Sequence, residues 1–151
     1  MKILVFGGTF DPPHKGHAAL LSAAARALDP DRILVVPNWR NPVKGRAPET
    51  AKERLAMLEL GLLARLPGAW RKKAAVEGSE LRGGKPAYTV DTLERLAKRF
   101  PKAELHFAVG WDSAAAFKQW KSPERLKRLA RWWTARRPVS AGEAPAFFMR
   151  L

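Results

Sequence analysis

MKILVFGGTFDPPHKGHAAL, residues 1–20, runs from a short apolar segment through two glycines and a proline-rich turn to a pair of histidines. The apolar segment, residues 2–6, predicts a strand buried on both faces of a parallel sheet. Gly7 and Gly8 end this strand, and glycine allows a phosphate to approach backbone N–H groups closely. A helix is predicted from Lys15 onward, with its N-terminus directed at the strand end. The stretch therefore has the outline of a phosphate-binding site.

The two histidines of this stretch, His14 and His17, are three positions apart. If both lie on the first helical turn, they project from one face of the helix. Near neutral pH an imidazole can donate hydrogen bonds to phosphate oxygens and stabilise their charge. Phosphoryl transfer needs such charge stabilisation more than it needs proton transfer. The pair therefore predicts a site for phosphoryl chemistry.

The composition favours one globular domain. The chain has 151 residues, 46% of them hydrophobic, which is enough for a sizeable core. No apolar run is long enough to cross a bilayer, and the N-terminus reaches Gly-Gly too soon for a signal peptide. The absence of cysteine excludes disulfides and thiolate catalysis, and three histidines with few nearby carboxylates do not form a zinc site. A cytoplasmic protein without a structural metal or a membrane association is expected.

The net charge of +14 raises the question of a polyanionic partner. Many of the basic residues lie between apolar positions of predicted helices, where a solvated helix face explains them. Examples are Arg125, Lys127, Arg128 and Arg131. An enzyme with phosphate-bearing substrates also benefits from a positive field. Nucleic acid is therefore not the expected partner.

The remaining pattern is that of an α/β domain. Residues 32–37, RILVVP, predict a second strand, which completes a β-α-β unit with a parallel, right-handed connection. Further strands are predicted over 70–77, 103–109 and 132–135, helices over 49–66 and from about 89 and 122, and a flexible loop over 78–86. The expected fold is a Rossmann-like sheet of about five parallel strands with helices on both faces. Its ligand lies beyond the carboxyl ends of the strands.

Several motifs carry a resemblance to a known family. GGTFDPPHKGH, residues 7–17, resembles the T/HxGH signature of the nucleotidyltransferase superfamily. With AYTVDTL at 87–93, GWD at 110–112 and Arg54 ahead of a Met-Leu pair, the chain is similar to bacterial nicotinate-nucleotide adenylyltransferases from residue 1 to about 138. The resemblance implies the nucleotidyltransferase fold and transfer of AMP from ATP to nicotinate mononucleotide in NAD biosynthesis. Mg²⁺ is expected to be carried with ATP.

The resemblance also implies the residues of the phosphate half of the site. His14, His17 and Lys44 are the expected catalytic residues, although Val43 stands where the family has a histidine before this lysine. Arg136, after the last predicted strand, is expected to face the phosphates. The residues expected to bind ATP or phosphate are Gly7, Gly8, Thr9, Phe10, Gly110, Asp112 and Arg136.

The nicotinate half is expected to consist of Tyr88, Thr89, Trp120 and Lys121. In the family, a tryptophan at the position of Trp120 stacks on the nicotinate ring, a contact worth about 0.5–2 kcal/mol. The backbone amide of Lys121 is expected to hold the nicotinate carboxylate. Thr89 lies near a predicted helix N-cap, whose exposed N–H groups suit the same carboxylate.

The resemblance ends before the family's Ile-Ser-Ser-Thr-x-x-Arg motif, which binds the ATP triphosphate. A single domain over residues 1–151, shortened at its C-terminus, is therefore expected. A cut chain, a naturally short protein and contacts supplied from elsewhere all explain the difference. The same chemistry on phosphopantetheine or nicotinamide mononucleotide is an alternative, as is a catalytically weak module that binds nucleotide or RNA. A homo-oligomer is compatible with the sequence.

Overall fold

The computed structural model describes residues 1–8, 10, 13, 15–38, 50–83, 87–135 and 148–150, and for 111, 112 and 148–150 it describes the backbone alone. The strands in this part of the chain are β1 Lys2–Gly8, β2 Arg32–Pro37, β3 Ala74–Val76, β4 Glu104–Val109, β5 Arg131–Ala135 and β6 Phe148–Arg150. They form one sheet in the order β3-β2-β1-β4-β5-β6. The first five strands are parallel and β6 is antiparallel to β5. The predicted five-stranded parallel sheet is confirmed, and β6 is an addition that the sequence analysis did not include.

The apolar runs of the strands follow from burial on both sides. In β1, Leu4 and Phe6 belong to one core, while Ile3 and Val5 belong to the other. Helices α1 Lys15–Leu28 and α2 Ala51–Gly61 contribute to the first core. Helices α5 Thr89–Arg99 and α7 Pro123–Leu129 contribute to the second core. The prediction of helices on both faces is thus confirmed.

Short helices account for the differences between the predicted and observed elements. They are α3 Gly68–Arg71, α4 Ser79–Arg82 and α6 Trp111–Ala115, with 3₁₀ turns at Leu63–Arg65 and Phe117–Gln119. The strand predicted over 70–77 was wrong at its start, because α3 begins after Pro67 and includes Trp70 and Arg71. The flexible loop predicted over 78–86 was wrong over Ser79–Arg82, because burial of Glu80 and Leu81 orders α4. None of the helices described is long and apolar enough to cross a membrane.

The sheet topology determines where a ligand can bind. β1 lies between β2 and β4, so the chain leaves it toward one side and returns on the other. Open α/β sheets bind ligands outside the carboxyl ends of the strands at such a switch point. Gly8 ends β1 there, and its carbonyl accepts a hydrogen bond from the N–H of Asn38 at 2.9 Å. Gly110 follows the end of β4 at the same edge of the sheet.

His106, the histidine outside the predicted site, connects β4 to β5. Its imidazole is buried, its Nδ1 accepts a hydrogen bond from Trp133 Nε1 at 2.9 Å, and its Nε2 lies 2.5 Å from Glu104 Oε1. These partners assign the proton of the neutral ring to Nε2. Burial lowers the pKa of His106, although the hydrogen bond to Glu104 opposes this shift. His106 is therefore a neutral structural residue within the sheet.

Candidate active site

The two glycines at the end of β1 are packed against aromatic rings. A Cβ atom at Gly7 would lie 2.6 Å from Phe107 Cζ, and one at Gly8 would lie 3.0 Å from Phe10 Cζ. Neither distance is tolerable without movement of a ring, and close-packed interiors resist such movement. The contacts therefore give a packing reason for both glycines. Their predicted contact with phosphate stays a prediction.

Phe10 holds the imidazole of His17 near the end of β1. The φ angle of Phe10 is 50°, in the left-handed region that bulky residues rarely adopt, at a cost of about 1–3 kcal/mol. Its buried ring lies 5.5 Å from the ring of Phe6 and 5.0 Å from that of His17. His17 is half-buried on the first turn of α1, and the two rings meet edge-on at 78°. The imidazole plane is thereby set beside the glycine turn.

A cluster of four aromatic side chains extends from this point. We call Phe107, Phe117, Trp120 and Trp132 the aromatic cluster. Phe107, whose ring lies over Gly7, stacks on Trp132 with a centroid separation of 4.5 Å. Trp132 in turn meets Trp120 edge-on at 5.6 Å. The end of β1 is therefore joined to Trp120 by continuous ring contacts.

The interior of the aromatic cluster gives Trp120 a firm base. Phe117 lies 4.8 Å from the Trp132 ring and 5.6 Å from the Trp120 ring. Trp132 Nε1 donates a hydrogen bond to the carbonyl of Leu126 at 2.8 Å. Phe107, Phe117 and Trp132 are buried, whereas Trp120 is half-buried. Trp120 is thus the cluster member whose ring remains accessible for stacking.

Phe107 and Trp132 were not predicted from the sequence as supports of the site. Both occupy buried positions of central strands, and a buried aromatic residue in a strand is normally assigned to the core alone. The available signal was the strand pattern itself, which predicts that residues of adjacent strands on one face are neighbours. Pairing β4 with β5 would have been needed to use it.

The predicted nicotinate residues Tyr88 and Lys121 lie together. Lys121 Nζ lies 4.2 Å from the centroid of the Tyr88 ring, a cation–π contact. Tyr88 is the N-cap residue of α5 and makes no side-chain cap, so Thr89 is the first helical residue. The N–H of Asp91 bonds to the carbonyl of Tyr88 at 3.1 Å, whereas the two preceding N–H groups, of Thr89 and Val90, have no carbonyl partner within the helix, as at any helix start. The contact draws the start of α5 toward the segment that carries Trp120.

The remaining predicted site residues are described in part or not at all. Gly110 is the N-cap residue of α6, and a Cβ there would meet no atom within 4 Å, so no neighbour requires glycine. Asp112 is the second residue of α6, and its side chain is outside the description. The other predicted site residues outside the described part of the chain are Thr9, His14, Lys44 and Arg136. Their roles stay predictions.

A buried carboxyl group supports the start of α5. Glu80 of α4 is 5% exposed and shares a side-chain hydrogen bond with Thr92 of α5. Burial raises its pKa to about 6, although the Thr92 hydrogen bond and the charge of Arg95 oppose the shift. Arg95 also pairs with Glu77 at 3.1 Å, so a second contact joins the same two segments. The two contacts attach the end of β3 and α4 to α5, whose first residue is Thr89.

We expect Glu80→Gln to stabilise the fold near pH 7.5 by up to about 2 kcal/mol, which corresponds to the rise of its pKa from 4.5 to about 6. A raised pKa in the folded state means that the favourable contribution is complete below about pH 4.5 and lost as pH rises through about 6. The ionised carboxylate then costs stability that the amide does not. Urea unfolding of both proteins at the two pH values measures the difference.

Two further measurements decide this prediction. The gain in stability should shrink nearly to zero near pH 4.5, and the exposed Glu59→Gln should show no comparable gain at either pH. Measuring each variant against wild type at the same pH cancels the contributions of the other titratable groups. A variant that is less stable than wild type near pH 7.5 would contradict the assignment.

Comparisons with known proteins show the family of this chain. The sequence model of the Cytidylyltransferase-like family matches residues 5–150. Proteins named probable nicotinate-nucleotide adenylyltransferase are 32% identical in Nitratiruptor sp. (91% of this chain, 74% of that protein) and 39% identical in Albidiferax ferrireducens (97% and 71%). A third, from Chlorobium luteolum, is 41% identical over 86% of this chain and 66% of its own length. The chain thus spans about two thirds to three quarters of the length of these relatives.

Solved structures show the same fold. A putative nicotinate-nucleotide adenylyltransferase from Vibrio parahaemolyticus superposes with a TM-score of 0.67 at 20% identity, over 87% of this chain and 71% of that chain. The Plasmodium falciparum nicotinic acid mononucleotide adenylyltransferase complexed with NaAD gives 0.65 at 21% identity, over 83% and 59%. The sequence relatives and the shared fold together show that this chain belongs to the cytidylyltransferase-like family and, within it, to the nicotinate-nucleotide adenylyltransferases.

Proposed function

We propose that this chain transfers the adenylyl group of ATP to nicotinate mononucleotide, giving nicotinic acid adenine dinucleotide and pyrophosphate. The observation that supports this most is the continuous ring contact from Gly7 through Phe107 and Trp132 to Trp120. The acceptor has a phosphate at one end and a pyridinium ring at the other. It therefore needs a phosphate-binding turn and a stacking surface side by side, which this contact provides.

The reaction follows from the phosphate half of the site. An oxygen of the acceptor phosphate attacks the α-phosphorus of ATP in line, and the bond from that phosphorus to the pyrophosphate oxygen breaks. No covalent enzyme intermediate is needed. His14, His17 and Lys44 stabilise the charge that develops on the leaving pyrophosphate. The ATP-binding role falls to the turn from Gly7 to Phe10 and to Gly110, Asp112 and Arg136.

Mg²⁺ enters this scheme as part of the nucleotide substrate. Among the residues that the structure describes, no three His, Asp or Glu side chains are grouped to hold a metal ion. Mg²⁺ keeps several waters and commonly binds through substrate phosphates, with few protein ligands. We therefore infer that MgATP is the donor, with the ion held by the triphosphate.

The residues of the nicotinate half select the acceptor. The accessible ring of Trp120 stacks on the positively charged pyridinium ring. The amide of Lys121 and the first N–H groups of α5, at Thr89, hold the carboxylate of nicotinate. An uncharged amide in its place satisfies these donors less well, since hydrogen bonds to charged groups are about twice as strong as neutral ones. Nicotinate mononucleotide is thus favoured over nicotinamide mononucleotide.

Pyrophosphate release tests the proposal. The chain is supplied with ATP and Mg²⁺ and with nicotinate mononucleotide, nicotinamide mononucleotide or phosphopantetheine in parallel. Turnover with nicotinate mononucleotide well above that with the other two acceptors is the expected result. Turnover with phosphopantetheine instead would contradict the substrate assignment. Salt-sensitive RNA binding with no pyrophosphate release from any acceptor would favour a binding module.

The stacking contact makes a separate prediction. We expect Trp120→Ala to raise KM for nicotinate mononucleotide by about 2- to 30-fold, the equivalent of about 0.5–2 kcal/mol, and to leave KM for ATP nearly unchanged. Trp120→Phe should retain part of the affinity. Trp70→Ala is the matched control, because Trp70 packs against the opposite core. An equal rise in both KM values, or the same rise in the Trp70 variant, would contradict a stacking role.

A further inference from the structure

A cleft of about 530 Å³ lies along β3, at the edge of the sheet opposite β6. We call it the β3 groove. It extends from Asp31 and Arg32, at the start of β2, to Gly78, just after β3. None of its lining residues belongs to the proposed active site. The groove is therefore a separate surface that the adenylyl-transfer reaction does not use.

The charge of the β3 groove is strongly positive. Five basic side chains line it, namely Arg32, Lys72, Lys73, Arg82 and Arg99, against the acidic residues Asp31 and Glu77. Both carboxylates are already engaged. Asp31 accepts a hydrogen bond from the backbone N–H of Lys2 at 2.8 Å, and Glu77 accepts hydrogen bonds from Ser79 and Arg95. Asp31 keeps its charge, and Glu77 is paired with Arg95, so the five cations outnumber the two carboxylates of the lining and the groove stays positive.

Three of the five basic side chains lie against aromatic rings. The guanidinium carbons of Arg32 and Arg99 lie 5.2 and 5.0 Å from the Phe100 ring, and Lys73 Nζ lies 5.4 Å from the Trp70 ring. Within the part of the chain that is described, none of the five cations has a carboxylate within ion-pair distance. Their positive potential is therefore available to an anionic ligand.

The groove also contains the open edge of a strand. Within the described part of the chain β3 pairs only with β2, and Lys73 O and Glu77 N are bonded to β2 at 2.9 and 2.8 Å. Because alternate residues of a parallel strand face one neighbour, the N–H and C=O groups of Ala74 and Val76 face away from β2. An open edge of this kind can accept an additional strand from a second chain.

The charge and the open strand edge together indicate which kind of ligand fits the β3 groove. A second copy of this chain would bring its own cations to the edge, and lysines beside an edge strand oppose such self-pairing. Single-stranded nucleic acid binds through exposed aromatic faces, and none of the described residues that line the groove is aromatic. A phosphate uses N–H donors and leaves the outward carbonyls unpaired. An extended peptide with acidic side chains satisfies the donors, the carbonyls and the cations at once.

We propose that the β3 groove binds an extended acidic segment of a partner protein as an added strand beside Ala74 and Val76. The backbone of the segment pairs with the open edge, and its carboxylates lie against Lys72, Arg82 and Arg99. Main-chain pairing gives such contacts affinity, and the charges select the partner. The binding does not depend on the proposed catalytic activity.

A labelled peptide tests the proposal on the full chain. The probe is an end-blocked, fluorescein-labelled peptide of about eight residues with alternating Glu and Val, measured by fluorescence anisotropy at low salt. A second peptide with the same charge carries proline at alternate positions, which removes the N–H groups needed for pairing. We expect the first peptide to bind and the proline peptide to bind at least about tenfold more weakly.

Variants of the groove complete the experiment. Arg82→Glu combined with Lys72→Glu should weaken binding by more than about tenfold, whereas Arg128→Glu on α7, outside the groove, should not. Val76→Pro removes an outward N–H while leaving the bonds to β2, and it should weaken peptide binding; because Val76 also packs against a core, Val76→Ala, which keeps the N–H, is the matched control for the lost packing. Equal binding of both peptides, no effect of Val76→Pro, or no binding of the first peptide would each overturn the proposal. An oligodeoxyadenylate of similar charge that bound as tightly as the first peptide would do so as well.

Discussion

Replacing His17 with alanine is expected to lower kcat for pyrophosphate release by about 100- to 1,000-fold, the usual cost of removing one preorganised donor from a developing negative charge. The imidazole is half-buried on the first turn of α1 and its plane is set by the edge-on contact with Phe10 at 5.0 Å. A group held in this way needs no reorganisation as charge moves to the leaving pyrophosphate. Steady-state rates with saturating ATP and nicotinate mononucleotide measure the effect.

The companion variants separate chemistry from folding. Lys15→Ala changes an exposed residue on the same helical turn, and we expect it to alter kcat by less than about threefold. His17→Gln keeps a donor in the same region and should lie between wild type and the alanine variant. ATP binding by His17→Ala, measured by calorimetry, should remain close to that of wild type. A His17→Ala enzyme that folds and retains most of its kcat would remove His17 from the catalytic residues.

Residues of the strands explain why the fold could be predicted from the sequence. Segments such as 2–6 and 32–37 are apolar throughout because both faces of a parallel strand are covered, so the local pattern determines the structure. The short elements were not predictable in this way. α4 exists because Glu80 and Leu81 are buried against neighbouring elements, and β6 exists because β5 offers it an edge. Both depend on contacts distant in sequence, which a local pattern does not contain.

The backbone conformation of Ser122, at the start of a helix, was likewise not predictable from the sequence. The sequence Ser-Pro-Glu predicts a capped helix from residue 122, and α7 does begin at Pro123. However, Ser122 has a left-handed backbone, with φ 56° and ψ 56°, and makes no side-chain cap. Capping residues usually have extended backbones, which direct the side chain at the first N–H groups. The sequence thus predicted the position of the helix and not the conformation of its first residue.

The candidate site also contains features that the sequence predicts and features that it does not. The sequence identified Trp120 and the glycine turn by motif, and the structure adds the residues between them. Gly7 needs its small size because Phe107 of a neighbouring strand covers it. Neither this contact nor the stacking of Phe107 on Trp132 has a fixed spacing in sequence. Such contacts require the strand order, so they could not be predicted before the fold was known.

Truncation of Trp132 is expected to have a large effect on the stability of the fold. We expect Trp132→Ala to lower the free energy of unfolding by about 3–5 kcal/mol, as for other large aromatic residues truncated in a core. The side chain is 3% exposed and contacts Phe107, Phe117 and Trp120. Its removal leaves a cavity beneath Trp120 and takes away one of the two hydrogen bonds of the Leu126 carbonyl, which also accepts from the N–H of Ala130 at 3.2 Å. Urea unfolding measures the loss.

Because a loss of about 3–5 kcal/mol is a large part of the stability of a domain, Trp132→Phe is the variant that tests the link to the acceptor. It keeps a ring on Phe107 and removes the 2.8 Å hydrogen bond to Leu126, whose carbonyl still accepts from Ala130, at a cost of about 0.5–1.5 kcal/mol. The adjacent Trp133→Phe is the matched control, because it removes the hydrogen bond to His106 on the other face of the sheet. If Trp132 supports the stacking surface, KM for nicotinate mononucleotide rises in the Trp132 variant and stays constant in the Trp133 variant. Equal KM values for nicotinate mononucleotide in the two folded variants would show that Trp132 is a core residue that does not support Trp120.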